Sequence, residues 1–113
     1  MWPILALFAL GCALEEEDFV DRYAEELCRI DEECFREEFV LVYGADQQLC
    51  QEKFVEALEA ELFENGCRGY EVDPARECLK DLKDSSCRTW QADAFVSEDC
   101  QAIWVCESNY TNE

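Results

Sequence analysis

The nine cysteines are the residues whose chemistry constrains this sequence most. Cysteine thiolates can bind metals, exchange electrons or form disulfides, and the spacing between cysteines separates these uses. The closest pairs, Cys28/Cys34 and Cys100/Cys106, each have five residues between them, so no Cys-x-x-Cys motif occurs. The chain also has no histidine, which removes Cys-His zinc sites and thioredoxin-like redox motifs from consideration. Disulfides are the expected use, in an exported protein, because cytosolic thiols are kept reduced.

Eight of the cysteines lie beyond residue 18, and this even number predicts up to four disulfides in one domain. The short YGAD turn favours a bond between Cys34 and Cys50. The GYEVDP turn likewise favours Cys67 with Cys78, although spacing alone leaves other pairings open. Cys28 and Cys34, six residues apart on one predicted helix, point to different sides and should not pair with each other. The predicted disulfide set is Cys28, Cys34, Cys50, Cys67, Cys78, Cys87, Cys100 and Cys106.

The ninth cysteine, Cys12, closes an uncharged apolar run near the N-terminus. The run WPILALFAL, residues 2–10, is shorter than the about 20 apolar residues that a membrane-spanning helix needs. Its length is typical of the apolar region of a secretory signal, about 7–15 residues. The sequence therefore predicts export, with a signal peptide over residues 1–11.

The residues ALGC, 9–12, resemble the lipobox of bacterial lipoproteins. The resemblance implies cleavage before Cys12, lipidation of Cys12, and anchoring in the cell envelope. The family usually has leucine where Ala9 stands, and no charged residue precedes Cys12, which indicates a true start upstream or an unusually short signal. An ordinary signal peptide cleaved nearby is the alternative. Ala13 stands where an aspartate tends to retain lipoproteins in the inner membrane, so the resemblance implies the outer membrane, facing the periplasm or the cell surface.

The net charge of −19 constrains the partners of the protein. Nucleic acids and anionic lipid surfaces would repel such a chain, so neither is an expected partner. The acidic clusters EEED (15–18) and DEE (31–33) lack the D-x-D-x-D-G spacing of a calcium loop. We therefore expect solvated helix faces, with no metal ion and no cofactor.

The sequence also lacks the motifs of the common catalytic sites. Without histidine, general base catalysis at neutral pH would require a carboxylate with a raised pKa, and 28 acidic residues single out no pair. No G-x-S-x-G elbow and no glycine-rich phosphate loop is present. The protein is therefore not expected to be an enzyme.

The periodicity of apolar residues predicts an all-α fold, a small bundle of about four helices. The helices are expected at residues 18–39, 47–64, 74–84 and 98–105. In the first helix, the apolar positions follow a 3-4-3-4 spacing that draws one stripe: Val20, Tyr23, Leu27, Ile30 and Cys34. The run FVLVY (39–43) is interpreted as a buried helix end or an extended connector, because no partner strand is apparent.

Helix boundaries are indicated by capping residues. Asp46 and Ser97 are suited to cap the helices that follow them, and Asp73-Pro74 is a typical helix start. Asn65-Gly66 stands where a left-handed cap would end the second helix.

A wider resemblance covers most of the chain beyond Cys12. It is carried by the pattern Cys28, Cys34, Tyr43-Gly44, Cys50, Gly66-Cys67, Asp73-Pro74, Cys78-Leu79 and Cys87. In this pattern the chain is similar to the small cysteine-rich lipoproteins of myxobacterial type, which have no assigned activity. The matching residues are structural, so the resemblance implies architecture and location but no catalytic residue. It is consistent with a lipidated N-terminus and tether at 12–18, a cysteine-rich helical domain at 19–107, and a disordered tail at 108–113.

Two functions follow from these observations. The first is a structural or protein-interaction module, anchored to the membrane by its N-terminal lipid and bound to an envelope protein. The second is a disulfide-rich helical carrier of a small apolar ligand, as some helical domains of this size are. The aromatic residues that could line such a cavity are Phe54, Phe63, Tyr70, Trp90, Phe95 and Trp104. A core built from these aromatics is the favoured interpretation, because little else fills a domain of this size.

Overall fold

The computed structural model describes residues 14–107. Residues 1–13, with the predicted signal peptide and Cys12, and residues 108–113, the predicted tail, lie outside the described residues. The described part contains six helices and two very short strands. These are α1 (Glu16–Cys34), α2 (Arg36–Tyr43), α3 (Gln47–Glu64), β1 (Cys67–Arg68), α4 (Val72–Asp84), α5 (Cys87–Gln91), α6 (Glu98–Gln101) and β2 (Val105–Cys106).

The core forms around α1, which packs against α2, α3, α4 and α5. Its apolar stripe turns inward, with Phe19, Val20 and Ile30 almost fully buried. The buried residues of the main core are Phe19, Val20, Ile30, Cys34, Ala75, Cys78, Leu82 and Ile103. A smaller cluster of Cys28, Phe39 and Cys50 lies where α2 and α3 meet α1. The predicted all-α, disulfide-stapled fold is confirmed.

The helix predicted over 18–39 is divided in two. It begins earlier, at Glu16, and breaks at Phe35, whose backbone leaves the helical region with φ −135° and ψ 55°. The chain then resumes as α2, so FVLVY is helical from its first residue to its last. Only Phe39 of this run is buried, and the expectation of a buried run is wrong for residues 40–42.

The two C-terminal helix predictions also need correction. The helix predicted over 98–105 ends at Gln101, and Val105–Cys106 instead pairs antiparallel with Cys67–Arg68. The helix predicted from residue 74 begins at Val72, which makes Pro74 its third residue. Proline is tolerated in this first turn, where backbone N–H groups have no partner inside the helix. The five-residue helix α5 was not predicted.

The predicted caps at the other helices are confirmed. The Asp46 carboxylate accepts a hydrogen bond of 3.1 Å from the Leu49 backbone N–H at the start of α3. The Ser97 hydroxyl accepts one of 3.1 Å from the Cys100 N–H at the start of α6. At the end of α3, Gly66 has a φ of 61°, a left-handed conformation that suits glycine.

All eight cysteines of the described chain form disulfides. The bonds join Cys28 with Cys50, Cys34 with Cys87, Cys67 with Cys106, and Cys78 with Cys100. The predicted set of eight is confirmed, and both favoured pairings, Cys34 with Cys50 and Cys67 with Cys78, are wrong. The expectation that Cys28 and Cys34 do not pair with each other is correct.

The positions of the helices explain the pairings. After α2 the chain turns back, so that α3 begins beside Cys28 of α1. There the Gln47 side-chain amide donates a hydrogen bond of 3.0 Å to the Cys28 carbonyl. Cys34, six residues further along α1, faces α5 instead. Cys67 lies opposite Cys106 in the two-stranded ladder, while Cys78 lies fully buried against α6.

Candidate functional site

The N-terminal end of the described domain packs against the core. We define this N-terminal end as Leu14, the first turn of α1 and the residues that contact them. Leu14 packs against the main core, and Glu16–Asp18 already forms helix. Leu14 and Glu16–Asp18, which fall in the tether predicted over residues 12–18, are therefore part of the folded domain. Three acidic residues occupy the first turn of α1, where the helix dipole favours negative charge.

An aromatic cluster of Phe19, Tyr23, Phe54, Tyr70 and Trp104 surrounds this end. The Phe19 ring is fully buried and stacks on Tyr23 with centroids 5.1 Å apart. Trp104 meets the Phe19 ring edge-on at 5.7 Å, and Phe54 meets Tyr23 edge-on at 5.6 Å. Edge-on and offset arrangements of this kind add to the free energy gained by burial alone.

Two hydrogen bonds join the N-terminal end to residues far along the chain. The Tyr70 hydroxyl donates to the Leu14 carbonyl at 2.9 Å, across 56 residues. The Trp104 indole N–H donates to the Glu16 carboxylate at 2.7 Å, across 88 residues. The start of α1 is thus fixed by aromatic residues that bury their rings and direct their polar atoms outward.

The electrostatic environment keeps the cluster's phenols protonated. Burial raises the pKa of Tyr70, and the nearby Glu16 carboxylate raises this pKa further. Burial also raises the pKa of Tyr23, with a smaller contribution from Glu61. Tyr70 therefore stays neutral and able to donate its hydrogen bond at every physiological pH.

The six aromatics proposed as a ligand-cavity lining do not lie together. Tyr70 and Trp104 belong to the aromatic cluster with Phe54, whereas Trp90 stacks on Phe95 at 4.4 Å in a separate place. Phe63 is 86% exposed. The structure therefore brings together only Phe54, Tyr70 and Trp104 of the predicted set, and these three pack as part of the core.

Two surface grooves beside α1 are acidic. A groove of about 510 Å³ between α1 and α3 is lined by Asp21, Ala24, Glu25, Gln48, Gln51, Glu52, Val55, Glu56 and Glu59. A groove of about 640 Å³ between α1 and α4 is also lined by carboxylates, together with the ammonium groups of Lys80 and Lys83. Such linings suit polar or cationic groups better than an apolar ligand.

The DEE cluster (31–33) is paired with nearby arginines. In the DEE cluster, Glu33 pairs with Arg29 and Glu32 with Arg36, each at 3.1 Å. Within residues 14–107, no group of three or more candidate ligands is arranged to hold a metal ion.

A second surface lies at the opposite end of α1 and was missed from the sequence. We call it the α2 tip, and it consists of Val40, Leu41 and Val42, which are 40%, 84% and 67% exposed. Phe39 and Tyr43 are four residues apart and face the small core, so the three residues between them face solvent. Because all five residues of FVLVY are apolar, the sequence pattern gave no signal for which of them face solvent.

Within residues 14–107, no helix is both long enough and apolar enough to cross a membrane. No known protein family, curated protein or solved structure matches the chain.

Proposed function

We propose that the protein is an exported lipoprotein of the cell envelope, anchored by a lipid on Cys12. In this proposal, the helical domain is a structural or protein-interaction module without catalytic activity. The observation that carries the proposal is the pairing of all eight cysteines in the described chain, which is consistent with an oxidising compartment. These eight pair with one another, and the ninth cysteine, Cys12, which lies outside the described residues, stands at the lipobox position.

The two ends of the domain support the division into an anchored end and a binding end. Helix α1 has 19 residues and is therefore about 28 Å long, with Leu14 before its first turn and α2 after its last. The α2 tip thus lies on the side away from the lipid. Exposed Leu41 and Val42 with adjacent Glu37 and Glu38 favour a protein partner with an apolar surface and a basic rim.

The anchor is tested by expressing the chain with its signal in a bacterial host. We expect the mature protein to begin at Cys12 and to carry a diacylglycerol and an amide-linked acyl chain, measured by intact mass. It should partition into detergent and sediment with outer-membrane fractions. Cys12→Ser should remove both lipid mass and detergent partitioning, because serine offers no thiol for the lipid.

Ala13→Ser is the matched control, since it changes the neighbouring residue and leaves the thiol in place. This variant should remain lipidated. A wild-type protein that is secreted without added mass and stays in the aqueous phase would contradict the proposal.

A further inference from the structure

Two exposed apolar side chains lie at the N-terminal end. Phe63 is 86% exposed near the end of α3, and Val105 is 68% exposed in β2. The last turns of α3 lie beside the first turn of α1, because Leu62 and Glu59 line one groove with Glu16. Val105 directly follows Trp104, whose indole N–H is bonded to the Glu16 carboxylate. Both side chains are therefore on the end where the chain enters the domain.

The covalent chain limits how far this end can be from Cys12. Only Ala13 separates Cys12 from Leu14, so their Cα atoms are at most about 7 Å apart. The Leu14 carbonyl is in turn fixed to the domain by the Tyr70 hydroxyl at 2.9 Å. A lipid on Cys12 would thus hold the N-terminal end against the bilayer with no room for a long spacer.

We propose that Phe63 and Val105 enter the interface between lipid headgroups and acyl chains, so that the domain stands on the membrane in one orientation. This inference rests on the lipidation of Cys12 in the proposed function. Apolar side chains beside a lipid anchor move readily from water into the membrane interface, because the anchor raises their effective concentration at the bilayer. The α2 tip then points away from the membrane, where a partner can reach it.

The charges at this end select the type of lipid. The first turn of α1 is acidic, and the guanidinium of Arg68 is already paired with the Glu107 carboxylate at 3.1 Å. An anionic surface would repel these carboxylates, so we infer a zwitterionic bilayer as the preferred surface. The same charges disfavour a second copy of this chain as the occupant, because it would bring its own net charge of −19.

The test uses tryptophan fluorescence of the full lipidated protein in phosphatidylcholine vesicles, with and without brominated lipid as a quencher. Phe63→Trp places the probe at the proposed interface. Leu41→Trp is the matched control, because Leu41 is 84% exposed at the other end. The wild-type protein supplies the baseline from Trp90 and Trp104. Both substitutions are at exposed positions, and an unchanged melting temperature verifies the fold.

We expect the Phe63→Trp emission to move to shorter wavelength and to be quenched by brominated lipid, and the Leu41→Trp emission to do neither. Val105→Trp should respond like Phe63→Trp. Vesicles that contain phosphatidylglycerol should reduce both effects, and added salt should restore them. Flotation with the vesicles is measured first. Flotation with equal responses at residues 63 and 41 would overturn this inference alone, whereas failure to float would overturn the proposed function and the inference together.

Discussion

At the scale of single residues, the effect of Asp31 on the free energy of unfolding depends on pH. Its side chain is partly buried on α1, and burial raises the pKa of the carboxyl above its ordinary value of 3.8. The Glu38 carboxylate raises this pKa further. Because the folded-state pKa exceeds that of the unfolded chain, ionisation of Asp31 opposes folding.

Asp31→Asn should therefore stabilise the protein at neutral pH. In the wild-type protein, the stability associated with the protonated Asp31 carboxyl is fully present below pH 3.8. It is lost as the pH rises through the raised folded-state pKa. The amide does not ionise, so the variant should gain roughly 0.5 kcal/mol at pH 7, a modest value because solvent screens a partly exposed group. Urea unfolding at pH 3 and pH 7 measures the difference, which should vanish at the lower pH.

Glu56→Gln serves as the control for this experiment, because Glu56 is an exposed carboxylate on α3. It removes one negative charge from the same highly charged chain and reports the general relief of repulsion. A gain from Asp31→Asn no larger than that from Glu56→Gln would contradict the role assigned to burial.

At the scale of elements, α2 is the one helix among residues 14–107 that contains no disulfide-bonded cysteine. It has eight residues, too few to be stable alone in water, and its one fully buried side chain is Phe39. Tyr43 packs beside Phe39, over the disulfide between Cys28 and Cys50. The stability of α2 therefore depends on this small core.

Phe39→Ala should cost about 3–5 kcal/mol, because it removes a ring that is 1% exposed and leaves a cavity. Leu41→Ala on the same helix should change stability by no more than about 0.5 kcal/mol, since Leu41 is 84% exposed. Denaturant unfolding with all disulfides intact measures both. Comparable losses in the two variants would mean that the α2 tip is covered by protein rather than open to partners.

The sequence predicted the long helices better than their connections. Helices α1 and α4 have polar and apolar residues in a helical period, whereas the apolar residues of α3 are spread around the helix and only Cys50 is buried. Asp46 and Ser97 have side chains that cap by local chemistry. FVLVY is apolar at every position, so its pattern could not indicate which residue faces inward. The short helix α5 and the two-residue strands depend on disulfides and long-range contacts rather than on period.

Long-range contacts also explain why the disulfide pairing and the aromatic cluster were not predicted from the sequence. Disulfide pairing depends on where helix ends align, and the break at Phe35 that moves α3 beside Cys28 has no strong sequence signal. Trp104 of the aromatic cluster bonds to Glu16, which lies 88 residues earlier in the chain. Such contacts follow from the assembled fold and not from local spacing.

At the scale of the whole molecule, the acidic grooves and the divided aromatics bear on the carrier alternative. An apolar ligand at a hundredfold excess over its Kd would stabilise the fold by about 2.7 kcal/mol. We expect no such effect, so fatty acids and apolar dyes at micromolar concentration should leave the melting temperature unchanged. A rise of several degrees that is lost in Trp104→Ala, with the fold retained, would instead favour the carrier.

The four disulfides also determine what a protease could do to this molecule. Their spans overlap, so every peptide bond between Cys28 and Cys106 lies inside at least one covalent loop. A single cut anywhere in this stretch therefore opens the chain without releasing a fragment. Between Cys50 and Cys67, of the four bridges, only Cys34–Cys87 spans the cut. A nick in α3 beyond Cys50 would leave two halves of the domain joined covalently by that one bond, and its reduction would remove the last covalent link between them.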